Sequence, residues 1–364
     1  MTHLSWNPKW WLAMVLALGL LSSCFTAPVK QTPTLTPSST STPPPAGGSL
    51  SADQLATLNS LEQLDDHPLY TMRYVGTYAE PALSSVSQPA AGRAARPIWG
   101  CALFAALGDP AQRLYGRNFD WRPSPAVLLF TDPPDGYASV SMVDIEYLGF
   151  SGSRAENLLK LPLEERAALL EAPALTFDGM NDQGVAVGMA AVAPGGMQPD
   201  PNKRTIDELA VMREILDHAS SVDEALTIFE RYNVDMGNVP LHYLVASAAG
   251  NSALVEFYEG KMVVFQNDGP WQLATNFLVA SMAGRTAGEC PRYDRIEERL
   301  QELDGRLNPA GALRLLGDVS QGGAQAQSTT QWSVVYDMVA ADIHIVTDRK
   351  YSARAHTLHL SAGK

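Results

Sequence analysis

The run CALFAALGDPAQRLYGRNFDW, from Cys101 to Trp121, holds the residues best suited to chemistry: a cysteine, an arginine sixteen positions on at Arg117, and an aspartate three beyond it at Asp120. A free thiol is only a few per cent ionised near neutral pH, so a hydrolytic cysteine needs a base within reach. No histidine stands near Cys101 in the sequence. A backbone cut between Gly100 and Cys101 would supply a base of another kind, a free α-amine whose pKa of about 7.7 to 8.0 lies close to that of the thiol. Nucleophile and base are then one residue. Gly100 suits such a cut, because with no side chain it lets the backbone bend and the sulfur approach the preceding carbonyl. Arg117 and Asp120 are read as an ion pair that orients the amine and stabilises its charge. Taken singly, each of these residues has a plainer reading. Cys101 is also suited to be a small buried hydrophobe or a disulfide partner of Cys290. Arg117 and Asp120 are also suited to be a surface pair of little energetic worth.

Other chemistries find no support. The seven histidines show no pairing at metal-ligand spacing, and cysteines at 24, 101 and 290 form neither a disulfide framework nor a zinc site. GFSGS at Gly149 to Ser153 misses the G-x-S-x-G serine elbow by one position, and no glycine-rich phosphate loop is present. A formal net charge of -13, with no block of Lys or Arg, argues against a nucleic-acid partner. Hydrolysis by this route calls for no metal and no cofactor.

The elements that must position these residues are legible in outline. Lys9 followed by the apolar run Trp10 to Leu21 reads as an export signal, too short to span a bilayer. LSSC, ending at Cys24, resembles the lipobox of bacterial lipoproteins, with Cys24 as the lipidated residue. From Ala27 to about Gly48 the chain is Thr, Ser and Pro with almost nothing apolar, a composition that cannot offset its ordering entropy. The expected organisation is therefore a lipoprotein signal peptide over 1–24, a tether over 25–50, a propeptide-like segment over 51–100 and the catalytic domain over 101–364. A helix is expected from Ser51 to Leu64, capped by Ser51. Strands are expected at Cys101 to Leu107, Arg113 to Gly116, Ala126 to Thr131 and Ala138 to Val143. Asp178 is read as a turn residue, and Asn181 as serving a turn before Gly184. Two helices with capping boxes follow, Thr205 with Glu208 and Ser221 with Glu224. Strands then recur at Tyr243 to Ala246, Ala253 to Tyr258, Met262 to Gln266 and Gln272 to Thr275. A helix carrying Tyr293, Ile296, Leu300 and Leu303 precedes closing strands at Trp332 to Tyr336, Asp342 to Val346 and His356 to Leu360. Strand clusters alternating with paired helices imply two sheets with helices outside them, an α+β protein.

The cysteine, arginine and GRN-x-D aspartate, in that spacing, resemble the signature of the choloylglycine hydrolase family and its relatives, which include penicillin V acylases, acid ceramidases and isopenicillin N acyltransferases. The resemblance continues through DGMNDQGVAVG at Asp178 to Gly188, QLATN ending at Asn276, PRYDRI with Arg292, and QWSVVYD at Gln331 to Asp337. It thus covers the chain from Cys101 onward. It implies the αββα four-layer sandwich of the N-terminal nucleophile (Ntn) hydrolases, two mainly antiparallel sheets between helix layers. It further implies Cys101 as nucleophile, Arg117 and Asp120 as its electrostatic partners, Asn276 as an oxyanion-hole donor and Arg292 as a supporting charge. Two positions depart from the pattern. A second oxyanion asparagine is expected ten residues after Asn181, where this chain has Ala191, and Ala102 replaces the usual Thr or Ser after the nucleophile. Loss of one such donor costs about 2.7 to 4 kcal/mol of transition-state stabilisation. The long segment before Cys101 is similar to relatives in which an internal cut exposes the cysteine.

These readings converge on hydrolysis of linear amides in small N-acyl substrates by an exported protein anchored to a bacterial membrane through Cys24. Acyl transfer from the same thioester and a non-catalytic surface-binding lipoprotein remain as alternatives, and the oligomeric state is open. Substrate-selecting loops are expected at Pro123 to Pro125, Pro133 to Tyr137 and Ala193 to Pro201.

Overall fold

A computed structural model describes residues 49–78, 100–192, 195–237, 239–322 and 328–360. The expected signal peptide, Cys24 and nearly all of the expected tether lie outside them. Two sheets dominate, with strands numbered along the chain. The larger has nine strands in the order β1-β2-β5-β6-β7-β8-β11-β12-β13. Its members are β1 (Glu62–Asp65), β2 (Leu69–Arg73), β5 (Ala126–Thr131), β6 (Ser139–Asp144), β7 (Asp178–Asn181), β8 (Val185–Ala191), β11 (Leu241–Ser247), β12 (Ser252–Tyr258) and β13 (Lys261–Gln266). All neighbours run antiparallel except β2 and β5. The smaller sheet has the order β14-β3-β4-β15-β16-β17, built from β14 (Trp271–Ala274), β3 (Ala102–Ala106), β4 (Leu114–Trp121), β15 (Thr329–Asp337), β16 (Asp342–Thr347) and β17 (His356–His359). A separate parallel pair joins β9 (Arg204–Asp207) to β10 (Tyr232–Asp235).

Helices cover both sheets. On the six-stranded sheet lie α6 (Pro291–Glu302) and α7 (Pro309–Asp318), which bury Tyr293, Ile296, Leu300, Ala312, Leu315 and Leu316 against Ala102, Phe104, Ala106 and Leu114. The apolar residues of α6 fall three and four apart, which is why one stripe of a helix rich in charges suffices. On the nine-stranded sheet lie α4 (Ala210–His218) and α5 (Val222–Arg231), in contact with β7, β8 and β11. Its other end is covered by α1 (Ala52–Asn59) and the short helical turns around α2 (Gly152–Glu156) and α3 (Leu163–Arg166), which share a core of Leu58, Tyr70, Met72, Val127 and Leu129. The result is the expected αββα sandwich. Among the described residues, no helix is long and apolar enough to cross a membrane.

Several local expectations are corrected. The first helix ends at Asn59, not Leu64, because Glu62–Asp65 leaves it to pair with β2; its Ser51 cap and capping box with Gln54 are present. The strand expected to stop at Gly116 runs to Trp121, since the polar residues beyond Gly116 are buried with hydrogen-bond partners. Thr205 and Glu208 form no capping box: Arg204–Asp207 is held as a strand by β10, and α4 starts at Ala210, where Asp207 accepts the backbone N–H groups of Leu209 and Ala210. Ser221 does cap α5, but Glu224 turns to Ser220 instead of closing the box on Ser221. Separately, the described residues 51–78 of the expected propeptide-like segment form α1, β1 and β2, and β2 sits inside the nine-stranded sheet.

Candidate active site

Cys101 stands immediately ahead of β3 and is buried, 4% exposed. β3 pairs with β4 so that Ala102 faces Asn118 and Leu103 faces Arg117 across the ladder. Side chains alternate along a strand. Arg117 and Phe119 therefore leave one face of β4, toward the core between the sheets that holds Cys101 and Leu103. Asn118 and Asp120 leave the other, where Asn118 Nδ2 donates to the Leu316 carbonyl of α7.

On the inner face, Arg117 is fully buried and donates to Asp178 Oδ2 at 2.5 Å, to the Phe177 carbonyl, and from Nη2 to the Cys101 sulfur at 3.9 Å. Asp178 also accepts from Tyr336 at 2.5 Å and from the Trp332 indole at 3.4 Å. A carboxylate with three donors holds its charge in the interior, and the guanidinium is fixed by it. Phe119 stacks on Trp332 at 4.0 Å between ring centres and lies under the Arg117 guanidinium at 5.2 Å. Burial pushes the Cys101 thiol above its ordinary pKa, while Arg117 and the Asp120 backbone N–H act in the opposite direction. The sulfur thus opens toward a cavity of about 30 Å³, lined among others by Phe119, Tyr147, Phe177, Met189 and Leu241. That is room for a water or two.

On the outer face, Asp120 is buried and accepts three side-chain hydrogen bonds. Thr330 Oγ1 donates at 2.5 Å, Gln321 Nε2 at 2.9 Å and Arg292 Nη1 at 3.4 Å. Burial outweighs these donors and raises its carboxyl to about 6. Arg292, at the first turn of α6, also donates to the Cys101 carbonyl at 2.8 Å and to Asn276 Oδ1 at 2.8 Å. Asn276, just after β14, spends one amide N–H on the Ala191 carbonyl at 2.7 Å. Gln321 Nε2 reaches the Gly100 carbonyl at 3.1 Å.

All five expected site residues, Cys101, Arg117, Asp120, Asn276 and Arg292, therefore lie in one connected network. One expected contact is absent and must be corrected. Arg117 and Asp120 form no ion pair with each other; residues three apart on a strand point to opposite faces, and each finds a different partner, Asp178 and Arg292. Cys101 and Cys290 are both free thiols. Asn181 serves a turn as expected, accepting from the backbone of Gln183 and Val185 around Gly184 at φ 74°. The three expected substrate loops contribute nothing to the cavity lining; residues from Pro134 to Tyr137 line a separate depression with Asp217 and His218. Ala193 and Pro194 lie outside the described residues.

Three residues of this network escape sequence reasoning: Asp178, whose reading as a turn residue gives way to a place in β7 as the partner of Arg117, and Gln321 and Thr330. Asp178 and Tyr336 lie in two of the quoted motifs, and their pairing was the available signal. Gln321 opens the run QGGAQAQ and carried none. Among the described residues, no group of three or more His, Cys, Asp or Glu is arranged to hold a metal ion.

Residues 166–277 match the model of the linear amide C-N hydrolases, choloylglycine hydrolase family. The matched segment contains Asp178, Ala191 and Asn276. Two structures of conjugated bile acid hydrolase variants from Clostridium perfringens superpose with TM-scores of 0.54 at 14% identity, over 72% of this chain and 93% and 94% of theirs. Penicillin V acylase from Agrobacterium tumefaciens aligns with a TM-score of 0.48 at 18% identity, over 72% of this chain and 89% of its own. No curated protein sequence matches the chain. Residues 166–277 are thus similar to the linear amide C–N hydrolases of the choloylglycine hydrolase family, and the sandwich that carries them shares its fold with the bile acid hydrolases.

Proposed function

We propose that the protein hydrolyses the amide bond of small N-acyl compounds, with Cys101 as nucleophile after the chain has cut itself between Gly100 and Cys101. The observation that carries this reading is the Cys101 sulfur, set between the Arg117 guanidinium at 3.9 Å and an apolar cavity. Once the cut is made, the α-amine of Cys101 takes the thiol proton and the thiolate attacks the substrate carbonyl. Asp120 and the Cys101 carbonyl's partner Arg292 hold the new terminus from the side opposite the sulfur. The Asn276 amide has two N–H groups, of which the Ala191 carbonyl takes one; the other is available to the oxyanion. Arg292 on Asn276 Oδ1 fixes which way that amide faces. The amine then leaves, and water releases the acid from the thioester. An apolar acyl group suits the walls of Phe119, Tyr147, Phe177, Met189 and Leu241, and Tyr147, 38% exposed, stands where a larger group would displace it.

The part of the upstream segment that packs into the fold stays bound after the cut in this reading. Met72 and Tyr70 are fully buried, and Tyr78 donates to Asp217 at 2.7 Å. We further read Cys24 as the site of a lipid anchor on an exported protein; incorporation of labelled fatty acid that persists in Cys24→Ala would reject it.

Intact mass and amino-terminal sequencing of the wild type beside Cys101→Ala test the self-cleavage, and a panel of N-acyl amides tests the turnover. A terminus beginning at Cys101 in the wild type alone, with release of free acid, is the expected result. An uncut chain in both overturns the mechanism and leaves a binding protein. A cut chain that passes acyl groups to an added amine faster than to water is an acyltransferase.

A further inference from the structure

We infer that Gln321 is a catalytic residue of the self-cleavage, the donor that receives the negative charge on the Gly100 carbonyl oxygen as Cys101 attacks it. The inference rests on the reading that the chain cuts itself before Cys101, and it assigns to that step an oxyanion donor separate from Asn276.

The geometry is specific to the bond that must break. Gln321 Nε2 has two N–H groups and both are placed, one on the Gly100 carbonyl at 3.1 Å and one on Asp120 Oδ2 at 2.9 Å. The residue is itself clamped to the start of β15. Its backbone N–H donates to Thr330 Oγ1 at 2.8 Å, and its carbonyl accepts the Thr330 N–H at 2.9 Å. Thr330 Oγ1 in turn donates to Asp120 Oδ1. A preorganised donor on the oxygen where charge will develop is what an oxyanion hole requires. The hydrogen bonds of Asn276 run to the Ala191 carbonyl and from Arg292, and neither involves the Gly100 carbonyl.

The same contact explains the glycine at position 100. A Cβ built there would lie 1.5 Å from Gln321 Nε2, so any other residue would push that amide off its present place on the carbonyl. Gly100 thus suits the donor as well as the nucleophile.

The step balances without any outside reagent but water. The Cys101 thiol proton passes to the Asp120 carboxylate through a water in the cavity that both residues line, the sulfur bonds to the Gly100 carbonyl carbon, and the carbonyl π pair moves onto oxygen beneath Gln321 Nε2–H. The carbon–nitrogen bond between Gly100 and Cys101 then breaks, and the nitrogen takes the proton back from Asp120. Water attacks the resulting thioester and frees the Gly100 carboxylate and the Cys101 thiol. Gln321 remains on Asp120, which now faces the new α-amine.

A double-variant cycle on the full-length chain tests this. The conversion of uncut protein to the piece starting at Cys101 is followed by mass, with melting temperature as the check on folding, in Gln321→Ala, Gly100→Ala and the combination. Loss of one oxyanion donor slows a reaction by about 10²- to 10³-fold, which is the expected effect of Gln321→Ala. Gly100→Ala acts by displacing the same donor, so the combination should be no slower than the slower single variant. A folded Gln321→Ala that cuts at nearly the wild-type rate, or single effects that multiply in the combination, overturns the assignment. If Gln321→Ala does not fold, normal cutting by Gly100→Ala overturns it instead. An uncut wild type removes the self-cleavage reading itself, whereas a cut wild type beside a normally cut Gln321→Ala removes only the role of Gln321.

Discussion

The two faces of β4 treat the same cysteine differently. The inner face handles its sulfur: Arg117, locked by Asp178, Tyr336 and Trp332, stands beside the thiol in an apolar layer. The outer face handles its backbone, with Asp120, Gln321, Thr330 and Arg292 gathered around the Gly100 and Cys101 carbonyls. An enzyme whose nucleophile and base belong to one residue needs both, because the side chain and the amine leave the same Cα in different directions. A strand that carries charged residues on alternate faces supplies the two environments three residues apart.

The largest effect should come from the point where the faces meet. Cys101→Ala is expected to remove both self-cleavage and amide turnover completely, leaving a folded, uncut chain by mass and circular dichroism. Detectable cutting in that variant would mean that a group other than this thiol does the chemistry.

The inner face comes next, and there the cost should appear as stability. Asp178 and Arg117 are both fully buried, and removing one partner of such a pair costs about 3 to 5 kcal/mol because the other charge is stranded. Arg117→Met should therefore lower the urea midpoint sharply, and adding Asp178→Leu should recover part of the loss. An Arg117→Met variant as stable as the wild type would show that the inner pair is not what fixes this face.

The stability of the outer face should respond to pH. The Asp120 carboxyl, raised to about 6 by burial, binds its proton more tightly folded than unfolded, where the value is 3.8. Stability from this group is therefore greatest in acid and is lost as pH rises from about 4 to about 6. The loss is roughly 2 to 3 kcal/mol, because a tenfold change in proton affinity corresponds to about 1.4 kcal/mol. Asp120→Asn should abolish that slope in a plot of melting temperature against pH, while self-cleavage in the wild type should rise through about pH 6. Parallel curves for the two proteins would show that the carboxylate does not titrate in this range.

How much of this is readable from the residues alone follows from the same contrast. The five candidate residues that meet around Cys101 and the layered fold are legible because they lie in spaced motifs and in periodic apolar runs. Pairings are not. Sequence spacing sets Arg117 beside Asp120, but spacing along a strand separates them, and the true partner, Asp178, comes from a different sheet. Gln321 is invisible for a further reason: only its backbone clamp to Thr330 brings it to Gly100, and no composition signal marks such a contact. Tertiary pairing likewise overrides local signals at Thr205, where a capping pattern lies within a strand. Residues 51–78 fall in the segment read as propeptide-like because it precedes the nucleophile, and they supply two strands of the larger sheet.

The smallest effect concerns how that upstream piece is held after the proposed cut. Asp65, at the end of β1, accepts from His356 of β17 at 2.8 Å and lies 3.5 Å from Lys350, so it ties the two sheets' edges together. Burial pushes its carboxyl up, but His356, the His67 backbone N–H and Lys350 outweigh that and hold it at about 2. A depressed carboxylate contributes stability above its unfolded pKa and loses it as pH falls from about 3.8 through about 2. The pair is partly exposed, which limits its worth to about 1 kcal/mol or less. His356→Ala should therefore leave cutting and turnover intact and lower only slightly the urea concentration at which the upstream piece separates from the piece starting at Cys101. If the pieces separate without denaturant, this tie and not the buried face of β2 retains the segment. If His356→Ala changes nothing even at low ionic strength, the buried core of Leu58, Tyr70 and Met72 and the Tyr78–Asp217 bond hold it without this tie.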